Sequence, residues 1–250
     1  MIFMVGDLHA ETDSSKLSKK NFPIQSELKK EDILFQLGDF GWIWHEIGTN
    51  KNENYWLNWL GTRKYTLCVV PGNHENYDEI FKLPIIEKWG GKVRVLETKE
   101  RFGNGIIYFL ERGEIYTINN KTFFIFGGAL SIDKEDRILG LSYWQQEIPS
   151  YNEFNYAMDK LDTVNWNVDY VLTHTCPINI ISEIINKTAY TEGKFKDPVS
   201  VFLFEVYKNL KFREWHFGHF HVDKKLVFET NNEKSVFQCH YKNISELILN

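Results

Sequence analysis

The stretch Ile33-Leu34-Phe35-Gln36-Leu37-Gly38-Asp39 decides the fold class of this chain. Its apolar run has the length and composition of a strand that is buried on both faces, as parallel strands usually are. The run ends in a glycine and then a carboxylate, and Asp is depleted inside strands. Asp39 is therefore expected just beyond the carboxyl end of a strand, at the sheet edge where open α/β proteins bind ligands.

Four other segments repeat this arrangement of an apolar run followed by Asp, Asn or His. They are Ile2–Gly6 before Asp7 and His9, Thr66–Val70 before Asn73 and His74, Val168–Thr173 before His174, and Lys211–Phe217 before His219 and His221. A turn that caps a strand would explain any one of them alone. Because five of the eight histidines occupy such positions, the sequence predicts that the strand ends form one site.

Length and composition set the outer limits. With 250 residues and 43% hydrophobic content, we expect a single domain with a full core over residues 1–250. Its elaborated loops are expected around 42–61 and 127–150. A net charge of -5 provides no general attraction for nucleic acid or an anionic membrane.

The chain is expected in the cytoplasm. Its three cysteines cannot all be paired, which favours a reducing compartment. The first predicted strand starts at Ile2 and leaves no room for a signal peptide, and no apolar run has membrane-spanning length. We therefore expect no membrane partner.

Alternation and turn residues predict the remaining elements. Further strands are predicted at residues 92–96, 106–110, 114–118, 121–126, 226–230 and 234–239, with hairpin turns at 119–120 and 231–232. The segments between 106 and 126 are expected to form a second, antiparallel sheet. Helices are predicted at residues 151–161, 178–186 and 198–209, with one or two short solvated helices within 13–30.

Four tryptophans lie between residues 42 and 61. Trp56, Trp59 and Leu60 have helical spacing, which predicts a helix packed onto the sheet. A platform that stacks nucleic-acid bases is the alternative, and core packing is the favoured interpretation. His45 follows Asp39 closely and is expected at the surface.

The side chains that follow the strands suit divalent metals. Seven candidate ligands are Asp7, His9, Asp39, Asn73, His174, His219 and His221. Mixed oxygen and nitrogen donors bind first-row metals, whereas Cys176 is the one cysteine nearby, so a structural zinc knot is disfavoured. One zinc uses three or four ligands, and this surplus predicts two ions, with Asp39 from the central strand between them. Two ions about 3.5–4 Å apart can clamp the attacking and leaving oxygens of a phosphoryl transfer.

Other catalytic signatures are missing from the sequence. There is no phosphate-binding Gly-x4-Gly-Lys loop, dinucleotide fingerprint, Gly-x-Ser-x-Gly elbow or His-Glu-x-x-His helix. The motifs that are present occur in the order Asp7-x-His9, Gly38-Asp39, Gly72-Asn73-His74-Glu75, Thr173-His174 and Gly218-His219-Phe220-His221. In this order they resemble the calcineurin-like metallophosphoesterase superfamily over most of the chain.

The resemblance implies an α/β fold of the α+β type, a four-layer sandwich of two packed mixed β-sheets flanked by α-helices. It also implies a dinuclear site at the strand ends. By resemblance, one metal is held by Asp7, His9, Asp39 and His221, and the other by Asp39, Asn73, His174 and His219. His74 would stand over the substrate phosphate and assist the leaving oxygen, with Glu75 orienting it.

One motif departs from the protein Ser/Thr phosphatases of this superfamily. There the Gly-Asp motif continues into Asp-Arg-Gly, whose arginine binds the phosphate, whereas here Asp39 is followed by Phe40 and Gly41. Arg137 is the candidate substitute because a guanidinium binds phosphate oxygens bidentately. A surface arginine is the alternative.

The leading hypothesis is a metal-dependent hydrolase that directs a metal-bound hydroxide onto a phosphomonoester or phosphodiester. Asp39 and His74 are the catalytic residues, and Asn73, His74 and Arg137 bind the substrate. The two ions are Mn, Fe, Zn or Ni, with Mn favoured. Alternatives are a metal-binding scaffold with little activity, or a nuclease, which would need a basic groove. The oligomeric state stays open.

Overall fold

The computed structural model describes residues 1–185, 196–230 and 233–249. Its strands are β1 Ile2–Gly6, β2 Ile33–Leu37, β3 Thr66–Val70, β4 Ile85–Lys88, β5 Gly91–Glu100, β6 Gly103–Leu110, β7 Ile115–Ile118, β8 Lys121–Phe126, β9 Tyr170–Thr173, β10 Glu214–Phe217, β11 Lys224–Thr230, β12 Glu233–Cys239 and β13 Ser245–Leu247. Its helices are α1 Lys51–Gly61, α2 Tyr77–Ile80, α3 Tyr151–Thr163, α4 Ile178–Ile184 and α5 Pro198–Asn209.

The strands form two mixed sheets. A seven-stranded sheet has the order β13-β1-β2-β3-β6-β5-β4, and a six-stranded sheet has the order β11-β12-β10-β9-β8-β7. β1, β2 and β3 are parallel, and Leu37 of β2 pairs with Gly6 on one side and Val70 on the other. The three strands therefore end at the same level, so the residues that follow them start from one edge.

Alternate residues of each central strand point into different hydrophobic layers. Met4 and Phe35 face the second sheet, whereas Val5 and Leu34 face outward towards α1. Helices α3, α4 and α5 cover the outer face of the second sheet. Both faces of a central strand are thus buried, which explains its nearly continuous apolar sequence. The expected four layers, helix on sheet on sheet on helix, are confirmed.

The helices start at residues that satisfy their first amide groups. The Asn50 side chain accepts hydrogen bonds from the first turn of α1, and Asp197 does the same for α5, where Pro198 is the first helical residue. Ser150 and Glu153 form a reciprocal capping box at the start of α3. These local signals explain why the predicted starts of α3 and α5 are correct.

Several predicted elements need correction. β6 is not paired with β7 in the second sheet but lies between β3 and β5 in the first. Its apolar residues fit either sheet, and only the course of the chain after Leu110 separates them. Two strands were missed: β4 is mostly exposed, and β13 has three residues, so neither has a strong apolar pattern. β2 is the third of seven strands rather than the central one.

Residues 13–30 contain two short 3-10 helices, Ser14–Leu17 and Pro23–Ser26, in agreement with the one or two short helices predicted there. Leu17 and Leu28 are buried, but such sparse apolar residues cannot form a continuous helical face. The predicted end of α4 at residue 186 and the predicted turn at 231–232 lie outside the described residues. Within the described parts of the chain, no helix combines the length and hydropathy needed to cross a bilayer. The three cysteines Cys68, Cys176 and Cys239 are free and buried.

His216 and His240 form a buried pair on the face of the second sheet that packs against the first. Nδ1 of His216 lies 3.0 Å from Nε2 of His240, and its Nε2 lies 3.3 Å from a carboxylate oxygen of Glu214. Burial lowers the pKa of His216, although Glu214 opposes the shift. Burial and the neighbouring His216 hold the pKa of His240 well below its usual value. Both rings are therefore neutral in the folded protein near neutral pH.

This pair predicts a loss of stability in acid. In acid, these two histidines bind protons in the unfolded chain but not in the folded one. The free energy of unfolding should therefore fall as the pH drops below about 6.5. The fall is up to about 1.4 kcal/mol per pH unit for each histidine. Urea unfolding between about pH 7 and pH 5 measures this slope. His240→Gln should make the slope shallower than in the wild type, and His45→Gln, at an exposed ring, should not. Equal slopes in all three proteins would contradict the assignment.

Candidate metal centre

The turns after the strands need glycine because two segments of the backbone approach each other closely there. Gly38 has a φ of 89°, and a Cβ on it would overlap the imidazole of His174. A Cβ on Gly72 would overlap the backbone nitrogen and carboxylate of Asp39. These glycines allow the loops after β2, β3 and β9 to meet, which brings their polar residues together.

Four of the predicted ligands have backbones in the left-handed region. The φ angles are 44° for His9, 54° for Asp39, 68° for His219 and 53° for His221. Side chains other than glycine adopt this region at a cost of about 1–3 kcal/mol each, and such residues cluster at functional sites. The strain turns these side chains towards one point instead of along the strand direction.

Asp39 lies in the middle of the cluster. One carboxylate oxygen, Oδ2, lies 3.4 Å from Nε2 of His9 and 3.9 Å from Nε2 of His74. The other, Oδ1, lies 3.3 Å from Nε2 of His174. Oδ1 also accepts hydrogen bonds from the backbone amides of Asn73 and His74, at 3.0 and 2.9 Å. Asp39 thus faces the ligands from both sheets while its own loop is held rigidly.

Asp7 is the second carboxylate and is fully buried. Its Oδ1 accepts a hydrogen bond from the backbone amide of His219, at 2.9 Å. Its Oδ2 has no hydrogen-bond partner among the described residues and lies 3.9 Å from Nε2 of His221. A buried carboxylate oxygen without a partner is expensive in free energy, and a cation would compensate it.

Three groupings of donor atoms could each hold a cation, as judged over the described residues. They are Asp7, Asp39 and His221; Asp39, His174 and His219; and His9, Asp39 and His74. The amide oxygen of Asn73 lies 2.9 Å from Nε2 of His174, beside the second grouping. All seven ligands predicted from the sequence are therefore brought together, and Asp39 belongs to every grouping.

The family model described as calcineurin-like phosphoesterase matches residues 1–223. The chain belongs to the calcineurin-like phosphoesterase family. The matched region contains every strand whose end carries a candidate ligand, and it stops before β11. The resemblance seen in the motifs is thereby confirmed, and the family implies metal-dependent hydrolysis of phosphoester bonds. A search of curated proteins found no match.

Second partners of two histidines decide which ring nitrogen of this phosphoesterase faces the centre. Nδ1 of His9 lies 2.9 Å from a carboxylate oxygen of Asp13, and Nδ1 of His174 donates to the backbone oxygen of Leu37, also at 2.9 Å. Both rings consequently turn Nε2 towards Asp39, the arrangement that metal-binding histidines commonly have. Asp13 was missed in the sequence, although its place four residues after His9 is a usable signal.

Electrostatics keep one carboxylate ionised more firmly than the other. Burial raises the pKa of Asp7 to about 6, and His174 opposes this rise. Burial also acts to raise the pKa of Asp39, but the neighbouring His174 and His74 outweigh the effect of burial. They hold the pKa of Asp39 well below its usual value. Asp39 is therefore a carboxylate throughout the neutral range.

The imidazoles divide into two kinds. Burial lowers the pKa of His219 to about 3 and that of His221 to about 4, so both neutral rings can offer a lone pair. Burial also acts to lower the pKa of His9 and of His174, but Asp39 outweighs it and raises both to about 9. A divalent cation would compete with these protons, since metal binding to histidine releases them. The donor set and the unpartnered oxygen of Asp7 together fit divalent cations.

Arg137 lies against His74 rather than at the open surface, since its side chain is 16% exposed. One guanidinium nitrogen lies 2.9 Å from Nδ1 of His74, and another lies 3.2 Å from Nε2. A neutral imidazole accepts at only one nitrogen, so only one of these two contacts can be a hydrogen bond to a neutral ring. Burial lowers the pKa of His74 and the Arg137 charge lowers it further, while Asp39 opposes both.

Glu75 does not orient His74, contrary to the prediction. Its buried carboxylate accepts hydrogen bonds from the backbone amides of Phe40 (2.7 Å), Gly72 (3.3 Å) and Gly41 (3.4 Å). It therefore ties the loop after β2 to the loop after β3. The two loops surround the Glu75 carboxylate with backbone amide donors. The His74 ring instead points into the open pocket, away from that carboxylate.

The centre opens into a pocket of about 280 Å³. Its walls are Asp39, Asn73, His74, Ile132, Asp133, Ile185, His219, Phe220 and His221. The polar residues other than Asp133 follow the strand ends, and Ile132 and Ile185 form an apolar rim. His45, which follows the Asp39 loop, is exposed and binds Glu53 instead, as expected of a surface histidine. Trp42 is buried, and Trp56 and Trp59 pack against the same core, in agreement with the core interpretation of this segment.

Proposed function

We propose that this phosphoesterase hydrolyses a phosphomonoester or phosphodiester at a centre of two divalent cations. One cation is held by Asp7, His9, Asp39 and His221, and the other by Asp39, Asn73, His174 and His219. The observation that carries the proposal is the presence of Asp39 in every grouping of donor atoms. Manganese is favoured over iron, zinc or nickel because carboxylate and amide oxygens accompany the imidazoles.

When bound, two such cations supply positive charge that draws in the phosphoryl group and acidifies an attacking water. The residues have separate tasks. Asn73 contributes a neutral donor, which avoids adding negative charge beside an anionic substrate. The His74 ring, whose Nε2 lies 3.9 Å from a carboxylate oxygen of Asp39, faces the leaving oxygen and stabilises the charge that develops there through a hydrogen bond. Arg137 holds His74 and offers its remaining donors to the phosphate.

The remaining parts of the proposal concern the setting of the enzyme. The whole chain acts as one domain, in the cytoplasm, where free buried cysteines are stable. Its net charge of -5 does not favour nucleic acid as the substrate. Small phosphoesters are the proposed substrate class.

Chelation tests the metal requirement. Activity towards a panel of mono- and diesters should disappear with a chelator and return when Mn²⁺, Fe²⁺, Zn²⁺ or Ni²⁺ is added, because the residues alone lack a charge that stabilises the attacking water. Elemental analysis should find two ions per chain in the active form. Full activity without metal would contradict the two-cation centre. Two bound ions without turnover on any ester would instead indicate a scaffold, and salt-sensitive nucleic-acid binding would indicate a nuclease.

Substrate preference tests the absence of an arginine after Asp39. Small esters such as 4-nitrophenyl phosphate should be hydrolysed with a higher kcat/KM than phosphoserine peptides. Phe40 occupies the position after Asp39 and is fully buried, so it cannot contact a phosphate. Both substrates are measured side by side in one metal-loaded preparation. Selective hydrolysis of the peptides would overturn this expectation.

A further inference from the structure

Another buried carboxylate, that of Glu147, lies behind the ligand set, in the loop between β8 and α3. Glu147 is fully buried, and both of its carboxylate oxygens accept hydrogen bonds from Ser131. Oε1 accepts from the backbone amide at 2.9 Å, and Oε2 accepts from the hydroxyl at 2.6 Å. The mechanism proposed above uses neither residue.

The Ser131 hydroxyl determines which end of the neighbouring side-chain amide faces it. It has a single proton, and that proton is donated to Glu147, so its oxygen can only accept from a third group. The third group is the side-chain amide of Asn73, whose Nδ2 lies 3.0 Å from the hydroxyl oxygen. Nδ2 therefore points to Ser131, and Oδ1 points the other way, to within 2.9 Å of Nε2 of His174.

The direction matters because the two ends of an asparagine amide have nearly the same shape but opposite chemistry. Oδ1 can coordinate a cation, whereas Nδ2 carries hydrogens and cannot. We propose that Ser131 and Glu147 are positioning residues that hold the Asn73 amide with its oxygen towards the second cation. The proposal rests on the proposed function in assigning Asn73 to that cation.

One guanidinium holds both ends of this chain of hydrogen bonds. Arg112, itself buried, donates from Nη2 to the backbone oxygen of Gln146 at 2.7 Å and to the hydroxyl of Tyr77 at 2.6 Å. Tyr77 in turn donates to the backbone oxygen of Gly72, at 2.6 Å. The turn that carries Glu147 and the loop that carries Asn73 are thus attached to the same side chain.

Glu147→Gln should reverse the direction of the hydrogen bonds at the Ser131 hydroxyl while keeping the shape of the side chain at position 147. The backbone amide of Ser131 can only donate, so the glutamine oxygen must face it and the glutamine NH₂ must face the hydroxyl. The hydroxyl proton is then free to point at Asn73, which favours a flipped amide with Nδ2 towards the cation. Isothermal titration with Mn²⁺ alone, at about pH 8.5, should show one site weakened by about 10–100-fold and the other unchanged. Burial raises the pKa of Glu147 to about 7, so the wild-type side chain is ionised at that pH.

An Asn73→Asp background separates positioning from packing. A carboxylate has an acceptor oxygen at both ends, so Glu147→Gln should no longer affect Mn²⁺ binding when it is combined with Asn73→Asp. Glu114→Gln is the matched control, because Glu114 is equally buried but binds Tyr156 and Lys160. It should bind Mn²⁺ as the wild type does. Ser131→Ala, which removes the link, should weaken the same site by about tenfold and serves if Glu147→Gln does not fold.

The outcomes are distinct. Wild-type Mn²⁺ binding by Glu147→Gln or Ser131→Ala would overturn the proposal, as would an equal loss in the Asn73→Asp background or in Glu114→Gln. Hydrolysis enters none of these measurements. A wild-type protein that binds two Mn²⁺ ions without turnover would therefore contradict the proposed function and leave the positioning role standing.

Discussion

Asp39→Asn is expected to weaken both cation positions at once and to abolish most of the activity. Asp39 faces His9 through one oxygen and His174 through the other, and it is the donor common to every grouping. The amide also has one acceptor atom instead of two and no charge. Metal ions contribute several kcal/mol to transition-state stabilisation, so kcat/KM should fall by roughly 10³ or more.

The comparison with a one-site variant makes this result specific. Elemental analysis and Mn²⁺ titration should show that His9→Ala loses mainly one ion, whereas Asp39→Asn loses both. Asp169→Asn, at the opposite end of β9, should keep both ions. One ion fully retained in Asp39→Asn, with activity near normal, would remove Asp39 from its central position.

His74→Asn should lower kcat by on the order of 10²–10⁴ while both cations stay bound. The backbone amide of His74 donates to Asp39, and its ring faces the pocket. The loss should be largest for esters with poor leaving groups, on whose departing oxygen the developing charge most needs stabilisation. It should shrink for an activated aryl ester, whose leaving oxygen disperses that charge into the ring.

Two controls define the role of His74. His45→Asn changes an exposed histidine outside the pocket and should leave kcat unchanged. Metal content is measured on each preparation before the kinetics. Loss of metal together with activity would make His74 a ligand, and an equal loss for every leaving group would make it a residue that positions the substrate.

The family and the clustering of the candidate ligands were predictable because each signal is local. An apolar run followed by Gly-Asp or Gly-Asn-His marks a strand end whatever lies around it, and parallel strands end at one edge. For the same reason the predicted bounds of β1, β3 and β8 were correct to the residue. The predicted bounds of α5 were also correct, because Asp197 and Pro198 mark its start. Weak patterns failed: β13 has three residues and forms only by pairing with β1.

The orientation of the ligands was decided by the tertiary structure. Glu75 was assigned to His74 because the two are adjacent in sequence, but it binds Phe40, 35 residues away. The sequence left two alternatives for Arg137, a surface position and a role in substrate binding. In the structure it contacts the His74 ring, which is 63 residues away in the chain. Such contacts depend on where loops from different strands cross, which periodicity and turn residues do not encode.

The sequence by itself thus determined which side chains stand at the strand ends, because the strand and the polar residue after it are neighbours in the chain. Only the tertiary structure decided which atom of each side chain faces the centre. Asn73 and Ser131 are 58 residues apart, and Ser131 and Glu147 are 16 apart. The direction of a hydrogen bond depends on what its partner can donate, and that partner is known only once the chain has folded.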